Sequence, residues 1–317
     1  MADYTIDFIT TQHTHPSPII NPSTVHLPSP FTVCIIGASR GIGASIAHCY
    51  ALAGTSTLIL AARSSSALDA VATECRALNS ATSVLVEACD ITCASDVQAL
   101  AARIQGHGLD VVVVNAGFAG PVVTRVTDGD PADWQRCLSV NSLGPYHAAH
   151  YLVPLLLNTS AGAKAFVVVS AAAAWITGGL IANTAYCVSK LAQVRLVEMM
   201  ATQYEADGLL SVAVHPGAVA TQMAQTAPDE FKDCEFSSIS FPLRYEVWII
   251  VAADIHVVLV DSPDLCGAFC VWLTREVKAT LWLSGRYVSA RWDVGELLGR
   301  RQEIVEKDLL KARLAVS

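Results

Sequence analysis

Residues 32–43 read TVCIIGASRGIG: an apolar, β-branched run, then the turn Gly37-Ala38-Ser39-Arg40-Gly41-Ile42-Gly43, then a helix-favouring stretch from Ala44 to Ala53. A strand that turns sharply into a helix leaves the first helical N–H groups unpaired and sets the positive end of the helix dipole at the turn. Glycines there let a ligand approach the backbone, so the turn suits a pyrophosphate. A glycine-rich turn also serves tight corners that bind nothing, and it is the strand, turn and helix in sequence that favour the binding reading.

Working outward, the same kind of run recurs as STLILAA (56–62), SVLVEA (83–88), DVVVVNA (110–116), AFVVVSA (165–171) and LLSVAVH (209–215), with helical stretches between. Runs apolar on both faces belong to strands covered on both sides. Six βα units in succession predict an α/β fold with a doubly wound parallel sheet in three α/β/α layers, the Rossmann-type arrangement. No period suggests a solenoid.

Composition narrows the function classes. The 317-residue chain is 53% hydrophobic and 15% charged, which excludes a disordered chain. Its net charge is −8 and it has no basic run to replace the counterions of a phosphate backbone, so nucleic acid is not an expected partner. The most apolar stretch, Val247 to Val260, carries Asp254 and His256, which argues against a membrane span. The ten cysteines include no CxxC and no zinc spacing, and they read as small buried hydrophobes in a reducing compartment. No export signal is visible at the N-terminus, and a cytoplasmic location is expected. No metal site is expected, the early His13, His15 and His26 having no carboxylate or cysteine at ligand spacing.

The spacing GxxxGxG, with Val114-Asn115-Ala116-Gly117 after the fourth run, Asn141 in VNSLG, Tyr186-Cys187-Val188-Ser189-Lys190 and His215-Pro216-Gly217-Ala218-Val219-Ala220-Thr221, resembles the short-chain dehydrogenase/reductase family. The motifs stand in that family's order and span about residues 31 to 221. The resemblance implies an oxidoreductase moving a hydride between a nicotinamide cofactor and a carbonyl or secondary alcohol of a small molecule. It assigns cofactor contacts to Gly37, Ser39, Arg40, Gly41, Ile42, Gly43, Asp90, Asn115, Ala116, Gly117, Tyr186, Lys190, Pro216, Gly217, Val219 and Thr221. For Asp90 a helix cap is the competing reading.

Charge points to the cofactor. An acidic residue after the second strand would bond the ribose hydroxyls and repel a 2′-phosphate; here Ala61-Ala62-Arg63 stands there, and Arg40 lies in the glycine turn. NADP(H) is therefore expected over NAD(H), with surface arginine as the alternative.

For catalysis, tyrosine is a weak base, with an ordinary pKa of about 10. Lys190, four residues after Tyr186, lies one helical turn along the same face, where its charge favours the phenolate. The resemblance adds that Lys190 holds the nicotinamide ribose, Asn141 carries a proton-relay water and a serine orients the substrate oxygen. Ser170 is the candidate, but the family's catalytic serine often comes second in a pair, and here that slot is Ala171. Neighbouring strand residues face opposite ways, so the register leaves Ser170 with either a catalytic or a structural role. Two functional alternatives stay open: an impaired nucleotide-binding scaffold, and an isomerase or dehydratase using the same tyrosine.

Residues 1–30, rich in proline, read as an extended arm that packs on the domain; residues 31–317 read as one nucleotide-binding domain with a lid at 222–262 and a tail at 291–317. Within the lid, 237–259 reads as an enlarged apolar lid, a membrane-touching or subunit-contact loop, or a translated stretch that the mature message lacks. Gly285 to Ala290 reads as the last strand and GELLGRRQEIVEKDLLKARL as a helix. With the arm, the GRYVSARWDV segment resembles a fungal biosynthetic branch of the family. The resemblance also implies a homo-oligomer, a dimer or tetramer, formed through the helices around Asn141 to Asn158 and Tyr186 to Tyr204.

Overall fold

The computed structural model describes residues 8–159, 162–179, 182–221 and 261–314. The six apolar runs form β1 (Thr32–Ile36), β2 (Thr57–Ala62), β3 (Ser83–Ala88), β4 (Val111–Val114), β5 (Ala165–Val169) and β6 (Leu210–His215), and β7 (Arg286–Ser289) closes the far edge. They make one seven-stranded sheet in the order β3-β2-β1-β4-β5-β6-β7, every pairing parallel. β1, β4 and β5 are buried at every position, as strands covered on two faces must be.

Alternation along each strand divides the core in two. Val33 and Ile35 of β1, with Val167 and Val169 of β5, pack with α1 (Gly41–Leu52), α2 (Ser65–Leu78) and, after α3 to α6, α7 (Asp264–Arg275). Cys34 and Ile36, with Phe166 and Val168, face α3 (Ala94–Ile104), α5 (Gly144–Asn158) and α6 (Thr184–Gln203), while α4 (Pro131–Leu138) precedes α5. The three layers expected from the sequence are thus present. α1 and α7 are joined by buried polar contacts as well: the Tyr50 hydroxyl donates to the Cys270 carbonyl at 3.2 Å and lies 2.7 Å from Thr274 Oγ1.

Because every strand runs the same way, all their C-terminal ends lie on one edge. The chain builds outward from β1 to β3, then returns to place β4 on the other side of β1. At that reversal the connections diverge above and below the sheet and open a crevice, the usual ligand position in such folds.

The tail departs from expectation. The single helix predicted beyond residue 294 is two short ones, α9 (Val294–Gly299) and α10 (Arg301–Glu306), after a one-turn α8 (Val277–Thr280). The chain then turns through Asp308 and Leu310, both at positive φ (49° and 64°). The buried Arg286 guanidinium draws the segment in, donating to Asp308 Oδ1 at 3.2 Å and to the Leu309 carbonyl. Those contacts outweigh continued helix in a stretch with no long apolar stripe. The lid segment 222–260 lies outside the described residues. Among them, nine cysteines are free thiols, all buried but Cys93; no helix is long and apolar enough to cross a membrane, and no group of His, Cys, Asp and Glu could hold a metal.

Candidate active site

The glycine turn is shaped by close approach. Gly37 sits at φ +90°, and a Cβ there would lie 2.5 Å from the Ala116 nitrogen; at Gly43 it would lie 2.0 Å from the Gly37 carbonyl oxygen. No side chain can occupy either place. The turn is held beneath by Gly37 N–H donating to the Ala61 carbonyl at 2.7 Å and by Asn115 Nδ2 donating to the Gly37 carbonyl at 2.9 Å. α1 begins at Gly41 with no side-chain cap and no acidic residue in its first turn. Its opening N–H groups are therefore available to an anion, which is the fit a dinucleotide pyrophosphate requires. Asn115, Ala116 and Gly117 follow β4 on the neighbouring side of the crevice; Asn115 N–H and Ala116 N–H both donate to the Ile36 carbonyl, at 2.8 and 3.0 Å.

Arg40, the N-cap of α1, and Arg63, directly after β2, are exposed, and neither forms an ion pair with a described residue. Asp90, after β3, accepts from Thr92 N–H and Thr92 Oγ1 at 2.9 and 2.8 Å. That is a local turn ahead of α3, whose N-cap is Cys93 with no side-chain cap.

Across the crevice, α6 carries Tyr186 and Lys190. The Lys190 ammonium is buried, donates to the Val169 carbonyl at 2.9 Å and lies 5.5 Å from the centre of the Tyr186 ring. Burial dominates both groups: it pushes the Tyr186 phenol well above its ordinary value and brings the Lys190 amine down to about 7, with Cys137 pulling the latter slightly back up. The lysine therefore sits poised near neutrality.

Asn141 is fully buried in a wide helical turn between α4 and α5. Its Oδ1 accepts from Phe118 N–H at 2.9 Å, while its Nδ2 donates to the Phe118 carbonyl at 2.7 Å and to Ser189 Oγ at 2.9 Å. Ser189 in turn donates to the Tyr186 carbonyl at 2.8 Å. One amide thus ties the loop after β4 to the helix bearing the tyrosine. Ser189 was unmarked in the sequence reading, although it lies inside YCVSK.

Ser170 is 2% exposed and follows the Phe166 and Val168 face of β5 towards α6, where its hydroxyl donates to the Lys190 carbonyl at 3.4 Å. Ala171 is extended (φ −161°, ψ 156°), so its methyl turns to the opposite side. The serine hydroxyl thus meets the Lys190 carbonyl on α6.

The segment Pro216 to Thr221 follows β6, and the Thr221 methyl lies 3.4 Å from where a Cβ on Gly41 would stand, which brings this segment against the glycine turn. His215, just before it, accepts from Ala172 N–H at 3.3 Å; burial, and then the Arg291 charge, bring its pKa down to about 3, so the ring is neutral. A cavity of about 250 Å³ opens against the first turn of α6, bounded by Pro121, Val123, Trp134, Cys137, Asn183 and Ala185. Asn183 Nδ2 shapes it by donating to the Ala119 and Pro121 carbonyls at 2.8 and 3.0 Å.

A sheet of this order, with an uncapped glycine turn at its reversal and a lysine buried beside a tyrosine across the crevice, defines the Rossmann-type class. Residues 31–231 match the short chain dehydrogenase family. The short chain dehydrogenase pgmD of Aspergillus terreus is 35% identical over 99% of this chain and 96% of its own length, and mpl6 of Monascus purpureus is 36% identical over 90% and 88%. Among solved structures, 3-oxoacyl-[acyl-carrier protein] reductase from Brucella melitensis superposes with a TM-score of 0.67 at 21% identity, over 86% of this chain and 94% of that one. An alcohol dehydrogenase from Thermococcus sibiricus, complexed with 5-hydroxy-NADP, gives 0.57 at 26% identity over 64% and 83%. The chain belongs to the short-chain dehydrogenase/reductase family of enzymes, and these full-length relatives are fungal, the branch that the GRYVSARWDV segment indicated.

Proposed function

We propose that the protein is an NADPH-dependent carbonyl reductase, or the reverse alcohol dehydrogenase, acting on a small organic molecule of fungal secondary metabolism. The observation that carries this reading is the buried Lys190 ammonium lying 5.5 Å from the Tyr186 ring, opposite the bare glycine turn. Gly37 to Gly43 and the first turn of α1 would hold the pyrophosphate, with Asp90, Asn115 to Gly117 and Pro216 to Thr221 along the rest of the dinucleotide. The nicotinamide supplies or takes up the hydride when bound.

The chain's own groups handle the proton. The Tyr186 O–H donates to the substrate oxygen during reduction and takes the proton back in oxidation. Lys190 offsets the phenolate charge left on Tyr186, and a water near Asn141 returns the proton from solvent. Ser170 stays bonded to the Lys190 carbonyl and steadies that turn. Arg40 and Arg63, free of competing carboxylates in their own segments, favour a 2′-phosphate, and the Thermococcus relative with its 5-hydroxy-NADP is consistent with that choice.

The test follows NADPH absorbance with a panel of ketones, comparing the natural protein with Tyr186→Phe. Loss of turnover in the variant, with NADPH affinity retained, is expected; equal rates overturn the assignment. NADPH binding with no turnover on any carbonyl would point to the scaffold, and turnover without stoichiometric NADPH consumption to an isomerase or dehydratase.

A further inference from the structure

Asp261 lies 43 residues beyond Ala218 in sequence, yet the two exchange a pair of hydrogen bonds: Ala218 N–H donates to Asp261 Oδ2 at 2.5 Å, and Asp261 N–H donates to the Ala218 carbonyl at 3.2 Å. The carboxylate occupies the space that Gly217 leaves empty. Gly217 stands at φ +98°, and a Cβ on it would lie 2.6 Å from Asp261 Oδ2. The Asp261 side chain is fully buried, and its second oxygen, Oδ1, has no hydrogen-bond partner among the described residues. Leaving a buried carboxylate oxygen unpaired costs free energy, so the group is retained against a penalty that a neutral side chain would avoid.

Arg291 offsets part of that penalty, its Nε lying 3.5 Å from Asp261 Oδ2. The arginine is itself held through its backbone: its carbonyl accepts from His13 N–H at 2.7 Å, and its N–H donates to Ser289 Oγ at 3.3 Å. The next residue after Asp261, Ser262, donates its N–H to the Thr14 carbonyl at 2.7 Å. The N-terminal arm is in turn fastened to the tail. Thr10 and Thr11 N–H groups donate to the Glu296 carboxylate at 2.9 and 3.0 Å, His13 Nε2 lies 2.9 Å from Asp293 Oδ2, and Phe8 stacks beside Trp292 with ring centres 5.7 Å apart.

We propose that Asp261 is a positioning residue for the segment Pro216 to Thr221, and that Arg291 and arm residues 13–14 form the strut that holds its carboxylate under Gly217. The proposal rests on the reading above, in which that segment runs along the bound dinucleotide. It makes the arm and tail part of the cofactor site's support.

The experiment measures NADPH affinity by fluorescence titration and steady-state KM and kcat on the full-length chain, for the natural protein, Asp261→Asn, Arg291→Gln and Arg291→Lys. A misplacement of about 1 Å is worth up to about 10²-fold, so Asp261→Asn is expected to raise the NADPH Kd and KM at least about tenfold with a smaller change in kcat. Arg291→Gln should weaken NADPH in the same sense, and Arg291→Lys, which keeps the charge, should recover most of the loss. The double variant Asp261→Asn/Arg291→Gln should be clearly less than additive, because both act through one contact. Natural-like NADPH affinity in Asp261→Asn overturns the proposal, as does equal weakening by Arg291→Gln and Arg291→Lys. If Asp261→Asn does not fold, the arginine pair decides alone. Failure of the natural protein to bind NADPH is a different result, and it sinks the functional reading itself.

Discussion

Single residues in this protein are constrained in ways that make separable predictions. Gly43 faces the Gly37 carbonyl across 2.0 Å of would-be Cβ space and Asn115 Nδ2 across 2.6 Å. Gly43→Ala must therefore push the turn off its strand, and kcat/KM with NADPH should fall about 10²-fold; measured catalysis within about twofold of the natural protein would refute that. Ser170→Ala should behave differently. Its hydroxyl is engaged with the Lys190 carbonyl, so the substitution removes one long hydrogen bond, and turnover should drop by less than about tenfold, the effect of about 1 kcal/mol. A loss comparable to that in Tyr186→Phe would instead mean that the hydroxyl leaves this bond to meet substrate. Lys190 makes a pH prediction. Its folded value of about 7 lies below its ordinary 10.5, so between those limits the unfolded chain binds more protons and stability rises with pH. The burial penalty is fully present below pH 7 and gone above about 10.5. It amounts to at most about 5 kcal/mol. The cofactor-free protein should gain melting temperature relative to Lys190→Met as pH is raised through that window, and parallel curves for the two would contradict it.

At the scale of elements, α5 and α6 each bury one side in the core and leave apolar groups on the other. Leu143, just before α5, and Tyr146 on it, with Val188, Leu191 and Met199 on α6, are 40 to 51% exposed. These are the helices through which the family resemblance expects a second copy to dock, and large apolar side chains gathered on such faces favour burial between subunits. Leu191→Glu/Met199→Glu should shift the native mass measured by light scattering towards the monomer; an unchanged oligomer would exclude this face. The same elements show what a linear sequence can reveal. β1, β4 and β5 were readable because burial on two faces demands continuous β-branched residues, and their observed ends differ from the predicted ones by a residue or two. The glycine turn was readable because Gly37 and Gly43 answer to local backbone geometry, whereas Asn115 was marked by the family resemblance. The support beneath Gly217 was not: Asp261 reads as an ordinary acidic residue near a helix start, and only the fold brings it to Ala218. The orientation of Ser170 was equally hidden, since alternation shows that Ser170 and Ala171 differ but not which one faces substrate. In the tail, Arg286 is recruited to Asp308 and Leu309 across 22 and 23 residues, a pull that local helix preference does not register.

For the molecule as a whole, net charge is the property that bears on the cofactor. The chain carries −8 overall, so its mean field repels any dinucleotide, and the 2′-phosphate of NADPH makes that repulsion larger. On the proposed reading, discrimination in favour of NADPH must then be local. The groups proposed for it are Arg40, at the start of α1, and Arg63, directly after β2, both exposed. Exposed pairs are screened on the scale of about 8 Å at physiological ionic strength. The preference should consequently weaken as salt is added. In titrations from low salt to about 0.5 M, the NADPH Kd should rise several-fold more steeply than the NADH Kd. Arg40→Ala/Arg63→Ala should flatten the NADPH slope towards that of NADH and reduce the thermal stabilisation NADPH provides, while leaving NADH stabilisation nearly unchanged. If the two cofactors instead share one salt dependence in the natural protein, the arginines do not read the phosphate, and selectivity for NADP(H) must be abandoned even if the enzyme turns over with both.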